Sequence, residues 1–265
     1  MNLKIMRNLL CWVATVGPVF SAAARAESKG CCGVGGAVKP LEAVLGDLSK
    51  KVEQLVSYEA QVEFIYSQPL LESETVRKGW LYYRKNGGRS KLRINFETLR
   101  QDDGEEQKYL EQFLFDGVWL VRIDYQTRQA DFYQKAPENE PIDAFDLACE
   151  QVPIVGFARI EQLKQHFDIT LPAPPSDCND VSRLHLRVNA QSAYKDRYKY
   201  VELWIDRVTG LPRKIVAATI EGDIYDIRLH KSKFNKNIKP NIFEVAIPKD
   251  FSTKREPSPK QKATD

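Results

Sequence analysis

Residues 199–210, KYVELWIDRVTG, carry the pattern that decides the fold. Val201, Leu203 and Ile205 alternate with Glu202, Trp204 and Asp206, and Thr209-Gly210 closes the run with a turn. A period of two sends successive side chains to opposite faces, so this stretch reads as a strand with one apolar and one wet face. The rhythm recurs on both sides of it. Leu184, Leu186 and Val188 alternate with His185 and Arg187. Ile215–Ile220, Ile224–Leu229 and Ile242–Ile247 follow, separated by Glu221-Gly222-Asp223 and by residues 237–241.

The first half repeats the pattern. Val62, Phe64 and Tyr66 alternate with Gln61, Glu63 and Ile65. Gly79-Trp80-Leu81-Tyr82-Tyr83 is an aromatic strand that runs into Asn86-Gly87-Gly88, a hairpin signal. Leu92, Ile94 and Phe96 oppose Lys91, Arg93, Asn95 and Glu97. Tyr109–Phe115 and Val118–Tyr125 flank Asp116-Gly117 as a second hairpin, and Ala130–Tyr133 adds a short strand. Clean alternation of this kind belongs to antiparallel sheets with one solvated face.

Helical spacing occurs in two places. Leu41, Val44, Leu45, Leu48, Val52, Leu55 and Val56 are three and four apart, which predicts an amphipathic helix lying over an apolar sheet face. Between Pro141 and Phe167 the rhythm of two breaks. Phe145, Leu147, Ala148 and Val152 predict a short helix before Pro153, and Phe157, Ile160 and Leu163 predict another. Leu171-Pro172-Ala173-Pro174-Pro175 is a stiff, extended crossover. The class is therefore α+β and strand-dominated, with one domain spanning residues 41–251.

The ends read differently. Lys4 and Arg7 precede an apolar run from Leu9 to Ala24, and Ala24-Arg25-Ala26 follows, the layout of a secretory signal peptide. At 16 residues, broken by Gly17-Pro18, that run is short of the about 20 apolar residues that span a bilayer. A lipidated cysteine at Cys31 or Cys32 is disfavoured, because Ser28-Lys29-Gly30 is too polar to precede one. Residues 1–26 are thus expected to be removed on export to the periplasm, 27–40 to form a flexible Cys/Gly-rich leader, and 252–265, rich in Lys, Pro and Ser, to be disordered.

Charge narrows the function. Residues 1–26 hold Lys4, Arg7 and Arg25 and no acid, so their removal lowers Lys+Arg from 39 to 36, equal to the 36 Asp+Glu. The basic excess belongs to the export signal, and no nucleic-acid partner is expected. His166, His185 and His230 have no metal-ligand spacing, and His185 and His230 alternate away from the apolar face. There is no Gly-x-Ser-x-Gly elbow and no phosphate loop. Neither catalysis, metal nor cofactor is expected. In an oxidising compartment Cys149 and Cys178 are the expected disulfide, though spacing alone does not fix the connectivity.

Aromatic side chains accumulate instead. Trp80, Tyr82, Phe96, Phe115, Trp119, Phe145 and Phe157 read either as sheet core or as the lining of an apolar concavity beneath the helices, a natural ligand site.

Three segments carry a resemblance. They are residues 79–85 (GWLYYRK), 115–120 (FDGVWL) and 204–215 (WIDRVTGLPRKI), and the ending 235–248 (NKNIKPNIFEVAIP) adds to them. In this order, over roughly residues 41–251, the chain resembles the outer-membrane lipoprotein carrier (LolA-like) family and its wider lipid-binding superfamily. The resemblance implies an incomplete antiparallel β-barrel of about eleven strands whose concave face is covered by helices. It implies lipid or lipoprotein acyl chains as cargo, held without chemistry, and membrane proteins that donate or accept it. A basic residue ending the second strand, associated with handover, corresponds to Arg84 or Lys85, here without the proline that usually follows. The alternative within the same fold is an envelope sensor that contacts a membrane protein.

Overall fold

The computed structural model describes residues 40–145, 147, 160–173 and 180–257. Helix α1 (Leu41–Glu53) comes first, with Glu42 in its first turn and Lys50 and Lys51 in its last, each complementing the helix dipole. It buries Val44, Leu45 and Leu48, the stripe read from the spacing. The helix stops three residues short of Val56, where Asn235 Nδ2 donates to the Gln54 carbonyl (3.0 Å) and so satisfies one of the orphan acceptors at its end.

Strands β1 (Ser57–Gln68), β2 (Ser73–Asn86), β3 (Arg89–Gln101), β4 (Gln107–Phe115), β5 (Trp119–Asp124) and β6 (Gln129–Gln134) form consecutive antiparallel hairpins. Helix α2 (Ile160–His166) leads into β7 (Phe167–Thr170), β8 (Val181–Val188), β9 (Tyr198–Asp206), β10 (Pro212–Thr219) and β11 (Ile224–Phe234). Strand β12 (Ser252–Glu256) comes last. All twelve lie in one sheet, ordered β12-β6-β5-β4-β3-β2-β1-β11-β10-β9-β8-β7, which joins the two halves through β1 and β11. The edges β12 and β7 do not pair, so the barrel is incomplete. A twisted sheet of this width curls rather than staying flat. Its inner face closes on α1 and α2, which Lys164 of α2 ties to Glu42 of α1 (3.1 Å).

Turn chemistry explains where the strands reverse. Asp116 Oδ1 accepts from the N–H groups of Val118 and Trp119 (2.9 and 2.8 Å), and Asp206 Oδ1 does the same for Val208 and Thr209. Gly117 (φ 103°) and Gly210 (φ 71°) then take the left-handed backbone that these turns require. At Gly79 the reason for glycine is space. Strand β3 bulges there, and a Cβ would stand 1.7 Å from the Asn95 carbonyl oxygen.

The open, strand-dominated sheet has twelve strands where about eleven were expected. Two expectations are corrected. Residues 242–247 are not a strand: Pro240–Phe243 is a short 3-10 turn, and the chain beyond it crosses the outer face without joining the ladder. Arg93 Nη1 donates to the Ile242 carbonyl there (2.6 Å), and Ile247 and Phe251 pack on Leu114, Val121 and Ile123. The tail expected to be disordered from Ser252 is ordered through Glu256, as a parallel strand on β6. Main-chain pairing at a sheet edge needs no apolar side chain, and Arg255 covers the Phe132 ring at 4.6 Å. Phe167 opens β7 directly at the end of α2. Of the helix expected near Pro153, Ala144, Phe145 and Leu147 are helical and buried, and the rest lies outside the described residues.

Candidate functional site

The inner face is one apolar surface that crosses most of the sheet. Alternation delivers Tyr58, Val62 and Tyr66 from β1, Leu81 and Tyr83 from β2, Phe96 from β3, and Phe113 and Phe115 from β4. From the other half come Leu184, Leu186, Val201, Leu203, Ile215 and Ile227. Leu45 and Leu48 of α1 and Leu163 of α2 press on it, each at most 1% exposed. A fully buried side chain of this size contributes about 1.5–3 kcal/mol, so the face and its roof stabilise one another.

Aromatic rings run across it in sequence. Phe113 meets Phe96 edge-on at 6.2 Å, Phe96 meets Phe64 at 6.2 Å, and Phe64 meets Tyr225 at 6.1 Å. Tyr66 stacks on Tyr225 at 5.0 Å. At the rim Phe145 stacks on Tyr83 at 4.0 Å, and the Ala144 N–H donates to Ser90 Oγ (2.7 Å). These two contacts hold the segment that follows Pro141 over the mouth of the face. Tyr58 is fully buried and shares a 2.8 Å hydrogen bond with Ser232, and burial pushes its hydroxyl up to about 12.

One end of the inner face is charged. Glu111 has no exposed surface and accepts from Arg77 (3.0 Å) and Arg122 (2.7 Å), and Arg122 also reaches Asp124 (3.1 Å). Burial works against the Arg122 charge, but Glu111 and Asp124 outweigh it and hold its pKa above the ordinary value. Beside it, burial raises the Asp131 carboxyl and, with Asp131 adding to the effect, pushes Tyr133 up to about 12. The network closes the apolar surface where β3 turns into β4. It was legible as parity: Glu111 occupies the same face as Phe113 and Phe115, and Arg122 the same face as Leu120.

The seven aromatic candidates divide by strand parity. Phe96, Phe115 and Phe145 belong to the inner face. Trp80 and Tyr82 alternate with Leu81 and Tyr83 and so stand half-buried on the outer face, stacked on each other at 6.2 Å. Trp119 is also on the outer face, its Nε1 donating to Glu138 (2.7 Å). These three were expected to line the concavity and stand instead on the face away from the helices. Phe157 lies outside the described residues, as do Cys149, Cys178, Cys31 and Cys32. Arg84 and Lys85 part company. Arg84 is on the outer face, donating to the Ile238 carbonyl (3.4 Å), whereas Lys85 stands at the rim, 3.7 Å from Asp143. Tyr58, Phe64 and Tyr225 join the face without having been singled out by sequence, although the alternation around them marked all three.

Among the described residues no group of three or more His, Cys, Asp or Glu could hold a metal ion. His185 lies 3.6 Å from Glu202 and His230 lies 3.9 Å from Glu63, on the outer face.

No family model matches the chain, and no curated protein matches it. Solved structures do. An uncharacterised conserved protein from Thermus thermophilus is 14% identical over 81% of this chain and 98% of its own, with a TM-score of 0.47. MucB of the Pseudomonas aeruginosa MucA/MucB complex is 16% identical over 77% of this chain, with a TM-score of 0.42, and the match spans only 60% of that chain. A LolA superfamily protein from Nitrosomonas europaea is 12% identical over 78% of this chain and 99% of its own, with a TM-score of 0.36. Likenesses this distant assign no activity.

Proposed function

We propose that the protein is a non-enzymatic binding protein that holds lipid or lipoprotein acyl chains against the inner face of the sheet, in the periplasm. Residues 41–251 are the ligand-holding unit, residues 1–26 the export signal and 27–40 a leader. The observation that carries this reading is a continuous apolar face whose roof, among the described residues, is two short helices and the rim segment at Phe145. Such a roof is held mainly by side-chain packing and one helix-to-helix ion pair. Its displacement uncovers a greasy surface long enough for an alkyl chain, and each methylene buried there contributes about 0.8 kcal/mol. Binding of this kind asks for no catalytic group. Release follows from the roof closing again.

The test is native mass spectrometry of protein purified from its own envelope, together with titration of a fluorescent fatty acid. Bound acyl species and saturable probe binding are expected. A ligand-free protein that also fails to bind the probe contradicts the proposal.

A second reading, a module that contacts a membrane protein, is favoured by the β1–β2 turn. Leu70 and Leu71 there are 86% and 68% exposed, a pair of large apolar side chains that nothing among the described residues covers. A partner retained after lipid removal, and lost with Leu70→Ser and Leu71→Ser together, supports it.

A further inference from the structure

We propose that the end of the sheet at which α1 stops is a docking surface for an anionic phospholipid bilayer, with a pocket there that seats a headgroup phosphate. Ser57 of β1 pairs with Arg84 of β2, Asn86 with Arg89 of β3, and Tyr58 with Phe234 of β11, so the ends of these strands stand side by side. The β9–β10 turn reaches the same place, since a side chain on Gly210 would lie 3.0 Å from Lys51.

A pocket of about 420 Å³ opens at this end, lined by Val56, Ser57, Arg84, Asn235, Lys236 and Ile238 among others. Its frame is held in place. Asn235, in the left-handed region (φ 52°), accepts from the Val56 N–H (2.8 Å) and donates to the Gln54 carbonyl, and Ser57 Oγ donates to the Lys236 carbonyl (2.6 Å). Neither cation in the pocket has a carboxylate partner among the described residues. Arg84 gives a single 3.4 Å hydrogen bond to a carbonyl, and Lys236 is exposed. Two cations without a carboxylate partner beside such a hollow suit a phosphate.

The surroundings say which source of phosphate fits. Lys50, Lys51, Arg89, Lys91 and Lys239 are exposed around the pocket, and no carboxylate pairs with any of them among the described residues. Basic residues next to an anionic bilayer contribute about 1 kcal/mol each. Val56 and Val208 are 57% and 89% exposed on the same end, apolar tips suited to the headgroup boundary. The far end is acidic, with exposed Glu72, Asp102, Asp103, Glu105 and Glu221 on its turns. An anionic surface therefore attracts one end of the molecule and repels the other, which sets its orientation. Docking this way puts the Phe145 segment at the bilayer, where headgroups compete with Asp143 for Lys85. That last step alone rests on the acyl-binding reading.

Co-sedimentation of the whole protein with vesicles tests the surface. Binding to equimolar phosphatidylglycerol–phosphatidylcholine vesicles, none to pure phosphatidylcholine, and loss in high salt are the expected results. Arg84→Gln with Lys236→Gln is expected to weaken vesicle binding at least about tenfold. Lys236→Gln alone, at an exposed position, keeps the test usable if the Arg84 change impairs folding, with several-fold weakening expected. Arg187→Gln, which removes an exposed cation at the far end of the sheet, should leave vesicle binding as it was. Equal binding to both vesicle types, or to neither, overturns the proposal. So does saturation by inorganic phosphate of a protein that ignores vesicles, which would make the pocket a site for a soluble anion. Fluorescent fatty-acid titration of the same samples without vesicles reports on cargo separately, so either reading can fail alone.

Discussion

The two faces of the sheet are made by alternate residues of the same strands, and they differ in what they have been given to face. Inward, Tyr58, Leu81, Phe96, Phe113 and Leu203 form an uninterrupted apolar surface under two helices. Outward, the strands carry ion pairs, such as Glu59 with Lys233 (3.1 Å), Glu63 with Arg228 (3.3 Å) and Lys214 with Asp226 (3.1 Å). The exception teaches the rule. Over β4–β6 the outer face is apolar too, at Leu114, Val121, Ile123 and Ala130, and there the C-terminal segment covers it with Ile247 and Phe251. Apolar residues mark where something lies on top, here a helix or a strap of the same chain.

Changes matched across the two faces would break or sharpen this contrast. The largest effect is expected for the charges enclosed on the inner side. Glu111→Gln leaves the Arg77 and Arg122 guanidiniums against a neutral amide out of water, and a loss of about 3–5 kcal/mol is expected in urea unfolding. Glu63→Gln, in a solvated outer pair, should cost less than about 1 kcal/mol. Equal losses would mean that the faces do not differ in dielectric character.

Next comes the strap. Phe251 is half-buried and meets Tyr125 edge-on at 5.2 Å. Phe251→Ala should cost about 2 kcal/mol, below the 3–5 kcal/mol of a fully buried phenylalanine. It should also raise binding of a hydrophobic dye by uncovering Leu114 and Ile123. An unchanged melting curve and no dye binding would show that the outer apolar patch needs no cover.

A smaller effect is expected from alkali. Tyr58 keeps its proton up to about 12 when folded, against an ordinary 10.0. The unfolded chain therefore ionises first, so stability is intact below pH 10 and is lost as pH rises from 10 toward 12. At pH 11 the loss from this residue is about 1.4 kcal/mol. Tyr58→Phe should flatten that limb in a pH series of denaturant midpoints. A limb unchanged by the substitution would place its origin elsewhere. The smallest effect belongs to Trp80→Phe, which should leave fatty-acid probe affinity unchanged, whereas Phe145→Ala on the rim should alter it. A loss of affinity from the Trp80 change would move the ligand to the outer face.

Much of this was legible in the residues. The α1 stripe, the period of two through Val62, Phe64 and Tyr66, and the turns at Asn86-Gly87-Gly88, Asp116-Gly117 and Thr209-Gly210 are local signals, and local physics decides them. Which side an aromatic faces is set by register, so counting by type alone grouped outward Trp80 and Tyr82 with inward Phe96 and Phe115. The strap was misread because Ile242, Val245 and Ile247 look like a strand when their burial against another face is out of view. The unbroken apolar runs Phe113-Leu114-Phe115 and Leu120-Val121 did announce a second covered face. Strand β12 left no side-chain signal, since it is held by backbone pairing to β6.

The central claim is that an acyl chain lies on the inner face. A fatty acid carrying a photoreactive diazirine along its chain, cross-linked to the whole protein and mapped by peptide mass spectrometry, tests it most directly. The account predicts adducts on inward residues such as Leu48, Phe145, Leu163 and Leu203, lost when unlabelled fatty acid is added in excess. Adducts confined to Trp80, Tyr82 and Trp204, or adducts that excess fatty acid does not displace, would contradict it.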